Sequence, residues 1–347
     1  MDRQWFQRVI EELVLCHSPS GSEHEIDLYL SSVFNASGLD WLKDPADNLI
    51  VRIPGKDPFK TLAITAHKDE IGGIVKSINV DGTLNIRNLG GAFPWVYGEG
   101  VVDLLGDHEV VSGILSFGSR HVSHESPQKV HQEDKALQWT DVRVDTKLSR
   151  DALNRAGIRP GSRMVVGKHR KRPFWMGDYI ASYTLDNKAS LAILLALAEN
   201  IQSPAVNIEL VASSKEEVGA IGALYYSRRT APDALIALEI CPKSAEYPIA
   251  CDQMPVLLSQ DGYGLYDEGL NREIAAIARQ IAVGVQHAVL SGFGSDASLV
   301  MKSGHVAKTA CLAFPTDNTH GFEIAHLDAI AGCFRILEAF CANCAGL

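Results

Sequence analysis

Short apolar, β-branched runs recur along this chain, and five of them lead straight into a histidine or a carboxylate. Thr61-Leu62-Ala63-Ile64-Thr65-Ala66 delivers His67-Lys68-Asp69-Glu70, and Val206-Asn207-Ile208-Glu209-Leu210-Val211-Ala212 delivers Ser213-Ser214-Lys215-Glu216-Glu217. The run 179–183 precedes Leu185-Asp186-Asn187-Lys188, the run 234–238 ends at Glu239, and the run 306–314 carries Pro315-Thr316-Asp317-Asn318-Thr319-His320. Runs of this length and composition read as strands. Helical patterns lie between them, such as Leu270, Ile274, Ile277, Ala278 and Ile281, and the apolar stretch 189–198, which reads as a buried helix. Strand and helix in alternation predict an α/β fold, a mixed sheet covered by helices on both faces. Strands that enter such a sheet in one sense bring their ends to one rim, where ligands collect.

Between about Gly72 and Lys168 the texture changes to short alternating runs separated by turn signals such as Asp81-Gly82. This predicts a small β-barrel-like domain, residues 72–168, inserted into a larger unit formed by 1–71 and 169–347. Within the insert Phe93, Trp95 and Tyr97 alternate as in a strand, either packed or at a subunit contact. His121, His124 and His131 crowd a polar loop with Glu125, Glu133 and Asp134 at no ligand spacing, and read as loop surface. Elsewhere, residues 2–16 carry one apolar helical face, Ser22 and Glu25 have the spacing of a capping box, and the run 306–314 reads as the last strand before a closing helix.

Composition excludes several functions. The chain has 46% hydrophobic and 21% charged residues and a formal charge of −10, which disfavours nucleic acid, gripped as it is by clustered cations. The one dense basic run, Lys168-His169-Arg170-Lys171-Arg172, reads as a solvated loop. No apolar run is long enough to span a bilayer. Asp2, Arg3, Glu11 and Glu12 interrupt any signal peptide, so a cytoplasmic setting is expected. Seven cysteines, an odd number, fit a reducing compartment, and the Cys341/Cys344 pair reads as buried or idle thiols.

Any one acid at a strand end has a plain explanation, a solvated carboxylate favoured by a helix N-terminus. Five together do not. His67, Asp186, Glu217, Glu239 and His320 gathered at one rim would repel one another and lose solvation unless cations joined them. Imidazole with carboxylate suits zinc, manganese or cobalt better than calcium. With one carboxylate bridging, five ligands give three to each of two ions about 3.5–4 Å apart.

These residues carry a resemblance. His67-Lys68-Asp69-Glu70-Ile71-Gly72, Asp186-Asn187-Lys188-Ala189, Glu216-Glu217-Val218-Gly219-Ala220-Ile221-Gly222-Ala223, Glu239, Gly294-Ser295-Asp296-Ala297 and His320 together resemble the pattern of the tetrahedral-shell metallo-aminopeptidases, the group of glutamyl and deblocking aminopeptidases. The resemblance implies a zinc-peptidase-type fold and two divalent metal ions per subunit, zinc first, with cobalt or manganese as alternatives. His67 and Glu239 would hold one ion, Glu217 and His320 the other, and Asp186 would bridge. Asp69 would orient His67 through its far nitrogen. Glu216 would be the general base, taking a proton from water between the metals and returning it to the departing amine of a short peptide. A large homo-oligomer, a hollow dodecamer, is implied in the same way.

Two positions depart from the pattern. Glu239 stands where the family has Asp, and Asp317-Asn318-Thr319 and Gly321-Phe322 replace the usual neighbours of the late histidine. Both point to an alternative, a dinuclear amidohydrolase acting on a blocked dipeptide or an acyl-amino acid. A third reading, a dinucleotide binder, rests on the lone match of Gly292-Phe293-Gly294-Ser295-Asp296-Ala297 to G-x-G-x-x-A. No G-x-S-x-G elbow supports a serine hydrolase.

Overall fold

Alternate residues of the central strands enter two different cores. Leu62, Ile64, Leu210, Ala212, Ile236 and Leu238 pack into one with the helices Arg3–Leu15, Leu185–Asn200 and Leu327–Asn343. Ala63, Val211, Leu235 and Ala237 pack into the other with Ala223, Tyr226, Ala297 and Val300 of the helices Ile221–Thr230 and Asp296–Lys302. The period of two in a strand thus forces helices onto both faces. The structure is a computed structural model and describes residues 1–119, 121–126, 129 and 135–344.

The strands are β1 (Trp41–Lys43), β2 (Leu49–Ile53) and β3 (Asp57–His67), then β4 (Gly72–Ile78), β5 (Leu84–Leu89), β6 (Gly100–Leu105), β7 (Val110–Ser116), β8 (Arg143–Asp145) and β9 (Arg163–Val166). The chain continues with β10 (Phe174–Met176), β11 (Tyr179–Tyr183), β12 (Val206–Ser213), β13 (Ala234–Pro242), β14 (Val256–Gln260), β15 (Gln286–Val289), β16 (Lys308–Asp317) and β17 (Phe322–His326). Strands β4 to β9 close a six-stranded barrel around Val75, Leu84, Val102, Leu104, Leu115, Val144 and Met164. The other eleven form one mixed sheet in the order β1-β2-β12-β3-β13-β16-β17-β11-β10, with β14 and β15 attached beside β16. β12, β3, β13 and β16 are parallel. β11 shares their sense, because it is antiparallel to β17 and β17 is antiparallel to β16.

Three local expectations are corrected. The run 306–314 does not hold the last strand, since β17 follows it. The capping box does not form: Glu23 is the N-cap of the helix His24–Ala36, and the Glu25 carboxylate turns away to the His17 N–H and to Lys168. Phe93, Trp95 and Tyr97 are not a strand. Pro94 starts a single helical turn, Pro94–Tyr97, leaving Phe93 and Trp95 exposed and stacked at 5.9 Å while Tyr97 is buried. In the polar histidine loop, His121, His124 and Glu125 are exposed, and His131, Glu133 and Asp134 lie outside the described residues.

The basic run is a solvated loop only in part: Lys168, His169 and Arg172 are exposed, but Arg170 and Lys171 turn inward. Lys168–Lys171 is a turn of 3-10 helix that fastens barrel to sheet. Arg170 reaches the carbonyls of Tyr97 and Val101. Lys171 is fully buried, donating to Glu70 and to His17 Nδ1 at 3.2 Å, while His17 Nε2 stands 3.0 Å from the carboxylate of Asp103 on β6. Burial and the Lys171 charge lower the His17 pKa, so a neutral ring donates from Nε2 to Asp103 and accepts at Nδ1 from Lys171.

Candidate functional site

Parallel pairing explains the first half of the site. The ladder between β13 and β3 ends at Ala237 opposite Thr65, and Glu239 and His67 lie two residues further along each strand, on the same face. His67 Nε2 is 3.7 Å from Glu239 Oε1 and 3.0 Å from Asp186 Oδ1. Glu239 therefore reaches the cluster with its longer side chain, although it sits inside its strand rather than beyond it. Asp186 arrives from the start of the helix Leu185–Asn200, directly after β11.

The second half is made by loops. Glu217 lies between β12 and the helix Ile221–Thr230, and His320 in the turn between β16 and β17. His320 Nε2 is 3.6 Å from Asp186 Oδ2 and 3.8 Å from Glu217 Oε2. The structure thus brings together all five residues expected from sequence. They form two triads, His67/Asp186/Glu239 and Asp186/Glu217/His320, each with one donor atom per residue within 4.8 Å of the others. Asp186 belongs to both and offers each histidine a different oxygen. Glu216 Oε2 lies 4.0 Å from His67 Nε2.

Asp69 stands beside the far nitrogen of His67, as expected, and its carboxylate has further partners. His67 Nδ1 lies 3.0 Å from the Asp69 carbonyl, nearer than the 3.6 Å to its carboxylate. That carboxylate accepts the backbone N–H groups of Glu216 at 2.8 Å and Glu217 at 3.2 Å, and the Ser20 hydroxyl at 2.6 Å. Sequence reasoning also missed two other supports. Glu323 on β17 is buried and accepts the N–H of Asp186 at 3.0 Å and of His320 at 3.0 Å. From the barrel side, the Gly91 carbonyl stands 3.2 Å from His320 Nδ1, and a Cβ on Gly91 would come within 2.6 Å of the His320 ring. A Gly-Gly pair directly after a strand, at 90–91, was the available signal. Thr184, Lys215, Ala220 and His320 all have φ between +52° and +65°, a strain that gathers where loops are held for function.

Electrostatics indicate what the cluster lacks. Burial, then Asp186, pushes the Glu217 carboxyl well above its ordinary range, and burial with Asp186 does the same for Glu239. Burial alone would depress the His67 imidazole, yet Glu239 and Asp186 raise it well above its usual value. The cluster needs positive charge, and two imidazoles with three carboxylates fit divalent cations of the zinc, cobalt or manganese type.

The dinucleotide reading fails on geometry. Ser295 and Ser298 cap the helix Asp296–Lys302 reciprocally, and the Asp296 carboxylate, buried against Ser213 Oγ, stands at that helix start, where a pyrophosphate would meet an anion. Instead Gly292, Phe293 and Gly294 wall the cavity of about 360 Å³ that contains the cluster. Cys341 and Cys344 are both buried, and burial raises both thiols. Among the described residues no helix is long and apolar enough to cross a membrane.

Comparison with known proteins gives the family. A family model described as M42 glutamyl aminopeptidase matches residues 47–336. YhfE of Bacillus subtilis is 26% identical over 339 residues, covering 95% of both chains. The lysyl aminopeptidase of Pyrococcus furiosus is 26% identical over 212 residues, 58% of this chain and 59% of that one. Among solved structures, aminopeptidase APDkam598 from Desulfurococcus kamchatkensis matches with a TM-score of 0.88 at 22% identity, over 98% of this chain and 95% of that chain. The TET1 peptidase of Pyrococcus horikoshii, which can assemble into a tetrahedron or a large octahedral shell, matches at 0.86 and 21% identity, over 97% and 99%.

Proposed function

The chain belongs to the M42 glutamyl aminopeptidase family and is a peptide hydrolase, and from that premise we propose that it is a metal-dependent aminopeptidase that removes N-terminal residues from short peptides. One observation carries the reading: the two oxygens of Asp186 face two different histidines, so a single carboxylate joins two triads. His67, Asp186 and Glu239 would hold one divalent ion, and Asp186, Glu217 and His320 a second. Bound there, the pair would polarise the scissile carbonyl and lower the pKa of water to about 7.

The chain's own residues do the rest. Glu216 accepts the proton of the attacking water and passes it to the departing amine. Its carboxylate reaches within 4.0 Å of His67 Nε2, beside the position such a water would take. Asp69 fixes Glu216 and Glu217 by their backbone N–H groups, which aims base and ligand from one anchor. Glu323 ties the backbones of Asp186 and His320 across two elements. A homo-oligomer, dodecameric in shell form, belongs to this reading, supported by the shells formed by the TET1 peptidase. Seven free cysteines support a reducing, cytoplasmic setting.

Glu216→Gln tests the assignment. Turnover should fall about 10²–10⁴-fold while elemental analysis still finds two ions per chain; loss of the ions would mean that Glu216 is a ligand, not the base. Chelation should abolish activity and re-addition restore it, and full activity in metal-free protein would refute the mechanism. Glu239 in place of Asp keeps the amidohydrolase reading open, and preferential hydrolysis of N-acetylated over free-amine substrates would favour it.

A further inference from the structure

The cavity that contains the cluster is also walled by Ile240, Pro242, Tyr247, Tyr263, Phe293 and Leu299. Among the described residues lining it there is no lysine or arginine. The nearby ammonium groups are engaged elsewhere: Lys243 pairs with Asp317 at 3.4 Å, and exposed Lys302 lies over the Tyr263 ring at 5.0 Å from its centroid. A substrate carboxylate side chain would lose its solvation here and find no partner of opposite charge. The carboxylates a substrate ammonium side chain meets here are Asp186, Glu217 and Glu239, which the proposed ions use, and Glu216, the proposed proton shuttle.

The aromatic walls are held in place by groups that serve no other visible purpose. The Tyr247 hydroxyl accepts the N–H of Gly292 at 3.0 Å and of Ser291 at 3.3 Å, so its polar end is spent on the turn after β15. Asp261 accepts the N–H of Tyr263 at 2.8 Å and of Gly264 at 3.3 Å, and the Tyr266 hydroxyl at 2.6 Å, which pins the turn after β14. The two turns touch through a missing side chain. A Cβ on Gly294 would lie 2.2 Å from the Tyr263 ring, so glycine is what lets that ring settle over the 292–294 turn. Beyond the carboxylate–imidazole cluster, Ile240, Tyr247, Tyr263, Phe293 and Leu299 give the half-open cavity an apolar side held on fixed turns, a pre-organised seat for an apolar group.

We propose that this pocket receives the side chain of the residue removed and selects large uncharged side chains, aliphatic or aromatic, over acidic and basic ones, with Tyr263 on its Gly294 seat as a specificity-determining residue. The inference rests on the aminopeptidase reading, and it assigns this member a preference other than the glutamyl residue in its family's description. Its closest expression in the sequence is the Gly292–Gly294 segment, where the glycines admit a ring rather than a phosphate.

The test is a set of aminoacyl p-nitroanilides, Leu, Phe, Ala, Glu and Lys, with the metal-loaded full chain. The values of kcat/KM for Leu and Phe should exceed that for Glu by at least about tenfold, the size expected for burying one large apolar side chain. Tyr263→Ala should reduce the Phe-to-Ala ratio by about tenfold, and Tyr263→Arg should raise Glu relative to Leu. Preference for Glu or Lys, equal rates across the set, or ratios unchanged in both variants would overturn the pocket assignment while leaving an aminopeptidase. No hydrolysis of any free-amine substrate would overturn the aminopeptidase reading and this inference with it.

Discussion

The two halves of the carboxylate–imidazole cluster are built from unlike parts. His67 and Glu239 are 2% and 3% exposed and come from adjacent parallel strands, so the sheet's own hydrogen bonds set their separation. Glu217 and His320 come from loops, and the His320 side chain is 35% exposed. That second half is held by Glu323 from an edge-ward strand and by the Gly91 carbonyl from the barrel. One half is therefore a property of the sheet, while the other exists only where barrel and sheet meet. The inserted barrel is then part of the site's construction through Gly91.

The largest effect that can break this comparison is expected at Gly91. Gly91→Ala would press a methyl into the His320 ring, so bound metal should fall from two ions to one and activity by at least about 100-fold, with barrel and sheet still folded by circular dichroism. Two tightly held ions in that variant would mean that the barrel does not shape the second half. A smaller effect is expected at Glu323. Glu323→Gln keeps the size but puts an amide where the N–H groups of Asp186 and His320 donate, and should weaken the ion beside His320 about 10–100-fold by calorimetric titration, with a smaller loss at the ion that shares only Asp186. Equal weakening of both ions would erase the distinction between the halves.

The smallest effect concerns the seam itself and appears in acid. Burial works against the Asp103 carboxylate, but hydrogen bonds from His17 and Ser112 hold it well below its usual range. Glu70 is likewise held low, burial being outweighed by Lys171 and Lys188. For a depressed carboxylate the stability gained is complete above the ordinary range near pH ~4 and is lost as pH falls through the folded value. Asp103→Asn should therefore cost about 1–3 kcal/mol at pH 7 and flatten the loss of stability below pH ~4. An unchanged acid limb in denaturant melts would show that the seam does not depend on this pair.

The contrast also explains what could be read from sequence. His67 and Glu239 were legible because a β-branched run announces a strand and its last residues face the rim. Asp186, Glu216 and Glu217 were legible by the same logic, aided by motif. His320 was legible as the histidine carried beyond the run 306–314, but its supports were not found at all. Glu323 sits on β17, whose Phe322-Glu323-Ile324-Ala325-His326 puts a buried acid where a strand pattern calls for an apolar residue. Lys171 misled for the opposite reason, since five basic residues in a row look solvated until Glu70 and His17 are seen beside one of them. Long-range pairing of charges is invisible to local periodicity. The β14 and β15 turns that wall the pocket escaped too, because short strands of four or five residues carry little periodic signal.

The buried series Asp103, His17, Lys171, Glu70 has a practical consequence for anyone recombining members of this family. A barrel transplanted from a relative would bring its own neighbours for His17 and its own loop over His320. Unless the graft carries an acid at 103 and a glycine at 91, the recipient would be left with an orphaned imidazole in its interior and a crowded histidine at its rim. The unit of exchange is the barrel together with its two points of attachment.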